Sequence, residues 1–503
     1  MIDDGQPLAR RTGLVLRPDP SRVVTTALIP STEAPPTVPS RMGALLYRVL
    51  ALPEDVVVTT IEATLADFGR RHRDLAGVLD ARFDQVRDHV ADPSAISTAR
   101  RRLIGAYMSQ EYAIEGAALF NPSMVAHPDQ SRLAPGATRF LMTVRGVGEG
   151  HISCVEFRTG TIDADDSIQL DEPGAQTVLP RTVTPVYSRL TLERLNREVP
   201  GHLTEVDAVL LTLPEAFGPD DLDKALVRWG ERAIYEDATA TSRRLESLAR
   251  LTYRIEFPFD TMLDARVILP GSPAESRGLE DVRLTRLVSP DGGSSYLGTY
   301  TAYDGSQIAP HLIRTEDFRT FDLGPLTGPA AKNKGLAVFP RTVAGLFMAL
   351  SRWDRENASL ATSSDLVHWE DAGILHDHRE PWEIVQTGNC GSPLETDEGW
   401  LILTHGVGPM RTYSIGAMLL DRDDPRTVLG YLREPLLWPV PSERDGYVPN
   451  VVYSCGAMIH GSTLVLPYGA DDATIRFALV DLPALLRRLR APAPGVRTAR
   501  DVA

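Results

Sequence analysis

From Phe120 almost to its end, the chain alternates short apolar runs with turn residues. The runs at 140–145, 151–157, 283–288, 296–303, 346–351, 400–404 and 464–468 have the length and residue types of strands. Regular spacing of this kind restricts the fold to a sandwich, a barrel or a propeller. At 503 residues the chain also exceeds what one hydrophobic core holds, so it needs several domains or one large repeat fold with insertions. One interruption stands out over 214–254, where Leu222, Leu226 and Trp229, then Leu245, Leu248 and Leu251, read as two inserted helices.

The flanks have a different texture. Residues 1–40 are rich in Pro, Ser and Thr, with little apolar surface to bury, and are expected as a flexible arm. Residues 41–118 read as a helical segment. Ile61, Leu65, Phe68, Leu75, Leu79, Phe83, Val86 and Val90 trace one face of a long helix over 59–90, with a Thr59/Glu62 capping box. Ser94 or Ser97 then caps a second helix through Leu103, Tyr107 and Ile114. These helices are expected as scaffold or as homo-oligomer contacts. The expected β domain spans 119–481, and 482–503 forms a last short helix and tail.

A formal charge of −15 argues against nucleic-acid and anionic-membrane partners, so any phosphate site must be a local cluster of cations. Three scattered cysteines, Cys154, Cys390 and Cys455, fit reduced thiols rather than a disulfide framework or a zinc site. Neither a signal-peptide core nor a membrane-length apolar run is present, and a soluble cytoplasmic protein is expected.

Candidate chemistry concentrates in a few polar stretches. Gly278-Leu279-Glu280-Asp281-Val282-Arg283 sets two carboxylates and a guanidinium ahead of an apolar strand, closed by a turn at Asp291-Gly292-Gly293. It reads either as a surface ion pair or as a strand end that holds a catalytic acid. Lys332-Asn333-Lys334, Arg341 and Arg352 gather four cations, which suit an oxyanion. Glu395-Thr396-Asp397-Glu398 leads into His405-Gly406-Val407, and Asn450 and Asp471-Asp472 follow apolar runs. Taken singly, each is as well explained by a turn or a satisfied structural group.

In this order, together with Phe120-Asn121-Pro122, Arg145, Phe339-Pro340, Leu420-Asp421, the stretch from Pro449 to Gly456 and Tyr468-Gly469-Ala470, they resemble glycoside hydrolase family 130, the mannoside phosphorylases and related β-mannosidases. The resemblance covers about 120–479, apart from the helical insertion. It implies a five-bladed β-propeller, an all-β fold, with its site in the central funnel. It further implies an inverting phosphorylase that cleaves a β-mannoside with inorganic phosphate to give α-mannose 1-phosphate. Asp281 matches the general acid, acting through a substrate hydroxyl. Lys334, Arg352 and His405, with Asn333 beside them, match the phosphate-binding groups. Asn121, Arg145, Glu280, Arg283 and Glu395 match the cavity lining, and Asp471 the residue that holds the sugar. The implied partners are a small oligosaccharide and phosphate, with no cofactor or metal. Two alternatives stay open: a hydrolase whose water is activated by Glu395 or Glu398, and a carbohydrate-binding propeller without catalysis.

Overall fold

The computed structural model describes residues 7–33, 40–289 and 292–491. The Pro-rich end of the expected arm, the turn at Asp291 and the tail beyond 491 lie outside the described residues.

The protein is predominantly β, and among the described residues all strands but those of two small two-stranded sheets fall into five largely antiparallel units in chain order. The first unit runs Ala118–Ala126, Thr138–Val147, Ser153–Ile162 and Ile168–Leu170. The second runs Gly278–Val288, Ser294–Tyr303, Ile308–Thr315 and Thr320–Pro325, widened by Tyr253–Glu256 and Arg181–Val183. Ala337–Val338, Phe347–Ser351, Ala358–Ser363 and Glu370–His376 form the third, and Gln386–Asn389, Gly399–Val407, Tyr413–Leu420 and Val428–Tyr431 the fourth. In the fifth, Val452–Tyr453, Thr463–Ala470 and Thr474–Asp481 are completed by Ala9–Leu16 from the other end of the chain. Each unit touches the next, and the fifth touches the first.

The apolar core is divided in the same way. One cluster lies between each neighbouring pair: Leu141 with Leu284, Leu297 with Val338, Leu350 with Ile402, Leu403 with Leu466, and Phe477 with Met142. The strand Gly399–Val407 explains how. Trp400 and Ile402 face the third unit while Leu401 and Leu403 face the fifth, so alternate side chains are buried on both sides and the run is apolar throughout. Units one and two are also joined by a parallel pair, Gly278 against Ser153. Gly278 has φ +142°, and a Cβ there would lie 2.6 Å from the Ser153 Cβ, so only glycine allows this approach three residues before Asp281.

Two helical regions have cores of their own. The N-terminal one contains Arg41–Leu50, Glu54–Phe68, Leu75–Asp84 and Thr98–Tyr107 around Leu46, Ile61, Phe83 and Ile104. The inserted one contains Arg189–Glu198, Thr204–Leu210, Pro219–Gly230 and Tyr235–Ala249 around Leu192, Val209, Leu226 and Leu245.

Several expectations are corrected here. The described part of the expected flexible arm, 1–40, carries strand Ala9–Leu16 and a second strand, Val23–Ala27, paired with Ser109–Ala113. Its β-branched run supplies what the open edges need. The single helix over 59–90 is two helices. Asp74 caps the later one by accepting from the Gly77 amide at 2.9 Å, while Thr59 is interior and donates to the Asp55 carbonyl instead of capping. Ser97 does cap its helix, but that helix ends at Tyr107, short of Ile114. The insertion holds four helices and begins at Arg189 rather than 214. Its first two helices are short, ten and seven residues, and each buries only a brief apolar stripe, Leu192 and Leu195 in one and Val206, Val209 and Leu210 in the other.

Candidate active site

The first strands of the units, and the turns that lead into them, bring polar side chains to one place. Asn121 and Asp281 occupy equivalent irregularities. In unit one the pairing passes from Phe120↔Arg145 to Ser123↔Thr143, and in unit two from Glu280↔Thr301 to Arg283↔Thr299, so two residues oppose one. Such bulges re-aim a side chain out of the sheet pattern. Asn121 and Asp281 have φ of 50° and 59°, a left-handed conformation that Asn and Asp tolerate better than most residues.

Asn121 Nδ2 donates to Asp281 Oδ1 at 2.8 Å, and Arg145 Nη1 donates to the same oxygen at 3.1 Å. Arg145 Nη2 holds Glu280 Oε1 at 2.6 Å, with the Phe120 ring 4.9 Å from the guanidinium. Lys334 Nζ reaches the other Glu280 oxygen at 2.5 Å. Arg283 donates to the Asp281 carbonyl at 3.2 Å, to Asn389 Oδ1 at 3.2 Å and to the Tyr453 hydroxyl at 2.6 Å. Thus all five units contribute, through Asn121, Asp281, Lys334, Asn389 and Tyr453. Behind the acid, Thr143, Val155 and Val282 leave no space for a water molecule.

Beside this group lies an incomplete one. Arg352 Nε and Nη1 are buried, and neither has a hydrogen-bond partner. Buried donors without partners call for an explanation, and among the described residues Arg352 is the only one with two of them. His405 stands next to it: a Cβ on Gly388 would lie 2.7 Å from the imidazole and 3.2 Å from Arg352 Cδ, so glycine lets both approach. Through Nδ1 the imidazole meets the Asn389 carbonyl at 3.0 Å, which makes Nδ1 the donor and leaves Nε2 as an acceptor, 3.2 Å from Gln386 Nε2.

The electrostatics follow from these contacts. Burial pushes Asp281 up, but the charges of Arg145, Lys334 and Arg283 and the amide of Asn121 outweigh it and hold the carboxyl at about 2. Burial, reinforced by the Arg352 charge, keeps His405 well below its usual range, so the imidazole is neutral. Burial and the Asp281 charge push Asp472 up to about 7, against the opposing pull of Arg145 and Arg411.

The structure therefore gathers Asn121, Arg145, Glu280, Asp281, Arg283 and Lys334, with Arg352 and His405 adjoining, and separates the other expected site residues. Asn333, expected at the phosphate, has φ 62°, and its amide is engaged within the third unit: it donates to the Trp353 carbonyl and accepts from Arg355 Nε at 2.9 Å. Glu395, expected in the cavity lining, is bound by Arg341 at 2.6 Å and Arg422 at 3.0 Å, with Arg341 stacked on Trp400. Asp471 feels Glu443, Arg476 and Asp445, whereas it is Asp472 that feels Asp281 and Arg145. His405 is no cation, and the charge of Lys334 is engaged by Glu280. Sequence reasoning gave no role to Asn389, Tyr453, Gln386 or Asp472. Tyr453 lies inside a quoted motif and Asp472 in a quoted pair, but nothing local says which member of the pair turns inward.

Comparison with known proteins fits this assembly. The chain is 31% identical over 224 residues to the 1,2-beta-oligomannan phosphorylase of Thermoanaerobacter sp., covering 44% of this chain and 74% of that protein. It belongs to glycoside hydrolase family 130. The family's model, described as beta-1,4-mannooligosaccharide phosphorylase, matches residues 247–490, which include Asp281, Arg352 and His405. The beta-1,2-mannobiose phosphorylase of Listeria innocua is 31% identical over 246 residues, 46% of this chain and 66% of that protein. The solved structure of a Listeria innocua enzyme of that name, in complex with beta-1,2-mannobiose, covers 75% of this chain and 93% of its own at 25% identity, with a TM-score of 0.45. Membership of this family makes the chain an enzyme of the glycosyl-transferring phosphorylase type.

Proposed function

We propose that this protein is an inverting phosphorylase that cleaves a β-mannoside with inorganic phosphate, releasing α-mannose 1-phosphate and a shortened acceptor. The observation that carries this reading is the Arg352 guanidinium, two of whose nitrogens are buried without a hydrogen-bond partner, set beside Arg283 and His405. An oxyanion satisfies such a donor pair, and Arg grips it bidentately. The five units are read as the blades of one propeller, with their first strands around the funnel.

In this mechanism phosphate lies against Arg352 and Arg283, and its hydroxyl replaces the Gln386 amide as donor to Nε2 of the neutral His405. A phosphate oxygen attacks the anomeric carbon, the bond to the glycosidic oxygen breaks, and that oxygen receives a proton originating at Asp281 through a sugar hydroxyl. Inversion requires an acid on one side and the nucleophile on the other. Asp281 is ionised in the free site, at about 2. An anion among its cations offsets their pull, so the carboxyl gains its proton as the complex forms. Asp472 takes the sugar-holding role expected of Asp471.

Hydrolysis needs a carboxylate to activate water, and the two expected for it are engaged elsewhere: Glu395 by Arg341 and Arg422, and Glu398 by Arg490 at 2.8 Å. The three free, buried thiols fit a reducing cytoplasm. The test is incubation with β-1,2-mannobiose, the linkage named for the Listeria relative, and with a β-1,4 counterpart, with and without phosphate. Phosphate-dependent α-mannose 1-phosphate is expected; mannose released equally without phosphate would overturn the reading.

A further inference from the structure

A cavity of about 520 Å³ opens between units two and three, beside the centre. Its position is fixed by the chain: Asn333 immediately precedes Lys334, and Trp353 immediately follows Arg352. Pro310 and Leu326 give one wall, and Lys332, Asn333, Trp353 and Arg355 the other. The volume lies within the range of about 300–1,000 Å³ common for small-molecule sites.

Its chemistry is unlike that of the centre. No acidic residue is among those lining it, although the chain as a whole carries −15. Among the described residues, neither Lys332 nor Arg355 forms an ion pair. Arg355 is oriented by its Nε bond to Asn333, and the Asn333 amide is itself anchored on the Trp353 carbonyl. The Trp353 indole is held by donation to Asp371 Oδ1 at 3.2 Å. An oriented aromatic surface with two uncompensated cations suits an amphipathic ring that bears a negative charge.

We propose that this cavity receives the acceptor end of the substrate and favours an acceptor sugar that carries an anion, a phosphate or a carboxylate. The proposal deepens the phosphorolysis reading and rests on it for the word acceptor. Trp353 supports the ring, Arg355 and Lys332 take the anion, and the neighbouring Asp281 centre does the chemistry.

The test runs the reaction in reverse, with α-mannose 1-phosphate as donor and mannose, mannose 6-phosphate or mannuronic acid as acceptor. The full chain is compared with Lys332→Ala/Arg355→Ala. The parent is expected to prefer one of the charged acceptors over mannose at least tenfold in kcat/KM, the size of a lost charge-assisted contact. Which one it prefers identifies phosphate or carboxylate. The double variant should lose that preference while its use of mannose stays within twofold. Equal use of mannose by the parent, or a proportional loss on all acceptors in the variant, overturns the proposal. Should no acceptor turn over, the phosphorolysis reading has failed, and calorimetric titration with the two charged sugars decides the cavity alone. At least tenfold weaker binding to the variant supports it; identical isotherms, or no binding to the parent, overturn it.

Discussion

Arg352 and Arg341 begin as equals, two arginines within twenty residues of Lys334 in one cluster of cations, and the fold gives them opposite surroundings. Arg341 lies over the Trp400 ring and holds both oxygens of Glu395, which Arg422 also meets. Arg352 is partly buried beside a neutral imidazole and a second guanidinium, with two of its nitrogens buried and unpartnered. The first region has all its hydrogen bonds made and serves as a strut. The second carries a desolvation penalty that the protein's own atoms do not offset, so it is useful only when a ligand arrives. Charge clusters are therefore told apart by what they leave unsatisfied, not by their composition.

The sharpest way to break this contrast is at the acid of the same site. Asp281→Asn keeps the shape but cannot supply a proton, and phosphorolysis of the preferred mannobiose should fall by about two to four orders of magnitude. Unchanged circular dichroism should accompany the loss; activity within a few-fold of the parent would remove Asp281 from its role.

Next in size is the arginine itself. Arg352→Ala removes a charge-assisted contact, so phosphate should bind at least about tenfold more weakly by calorimetry, with a smaller change in KM for the mannoside. An unchanged phosphate isotherm would mean that the unmade bonds are not a phosphate site.

A pH experiment sharpens the comparison from the carboxylate side. Asp472 is pushed up to about 7, so between its usual range near 4 and that value the native state binds more protons than the unfolded state. Its contribution to stability is present at low pH and is lost as pH rises through 7. Asp472→Asn does not titrate, so its melting temperature relative to the parent should rise from pH 5 to pH 8. A constant difference between the two pH values would contradict the placement of this carboxyl beside Asp281.

The smallest effect is expected at the strut. Glu395 and Arg341 are each about one-third exposed, and such pairs contribute about 0–1 kcal/mol. Arg341→Ala should leave kcat/KM within twofold and lower the melting temperature only slightly. A large loss of activity would erase the distinction between the two regions.

Much of this was written in the linear order of residues. Strands buried on both faces, such as Gly399–Val407, announce themselves by continuous apolar runs, and side chains set at bulges by Asn or Asp, such as Asn121 and Asp281, fall inside short motifs. Those signals are local, and so are the caps at Ser97 and Asp74. What the tertiary structure alone decided is which groups meet across long separations. Ala9 pairs with Val480, which turns an expected arm into the edge strand of the fifth unit. Asn333 is bound by Arg355 from further along the chain, Asp472 rather than Asp471 feels the Asp281 charge, and His405 loses its charge through burial near Arg352. Each of these depends on backbone dihedrals and on neighbours from other units. The physical reason is that a side chain's periodicity is set by its own strand or helix, whereas its charge state and its hydrogen-bond partners are set by whatever the tertiary fold packs against it.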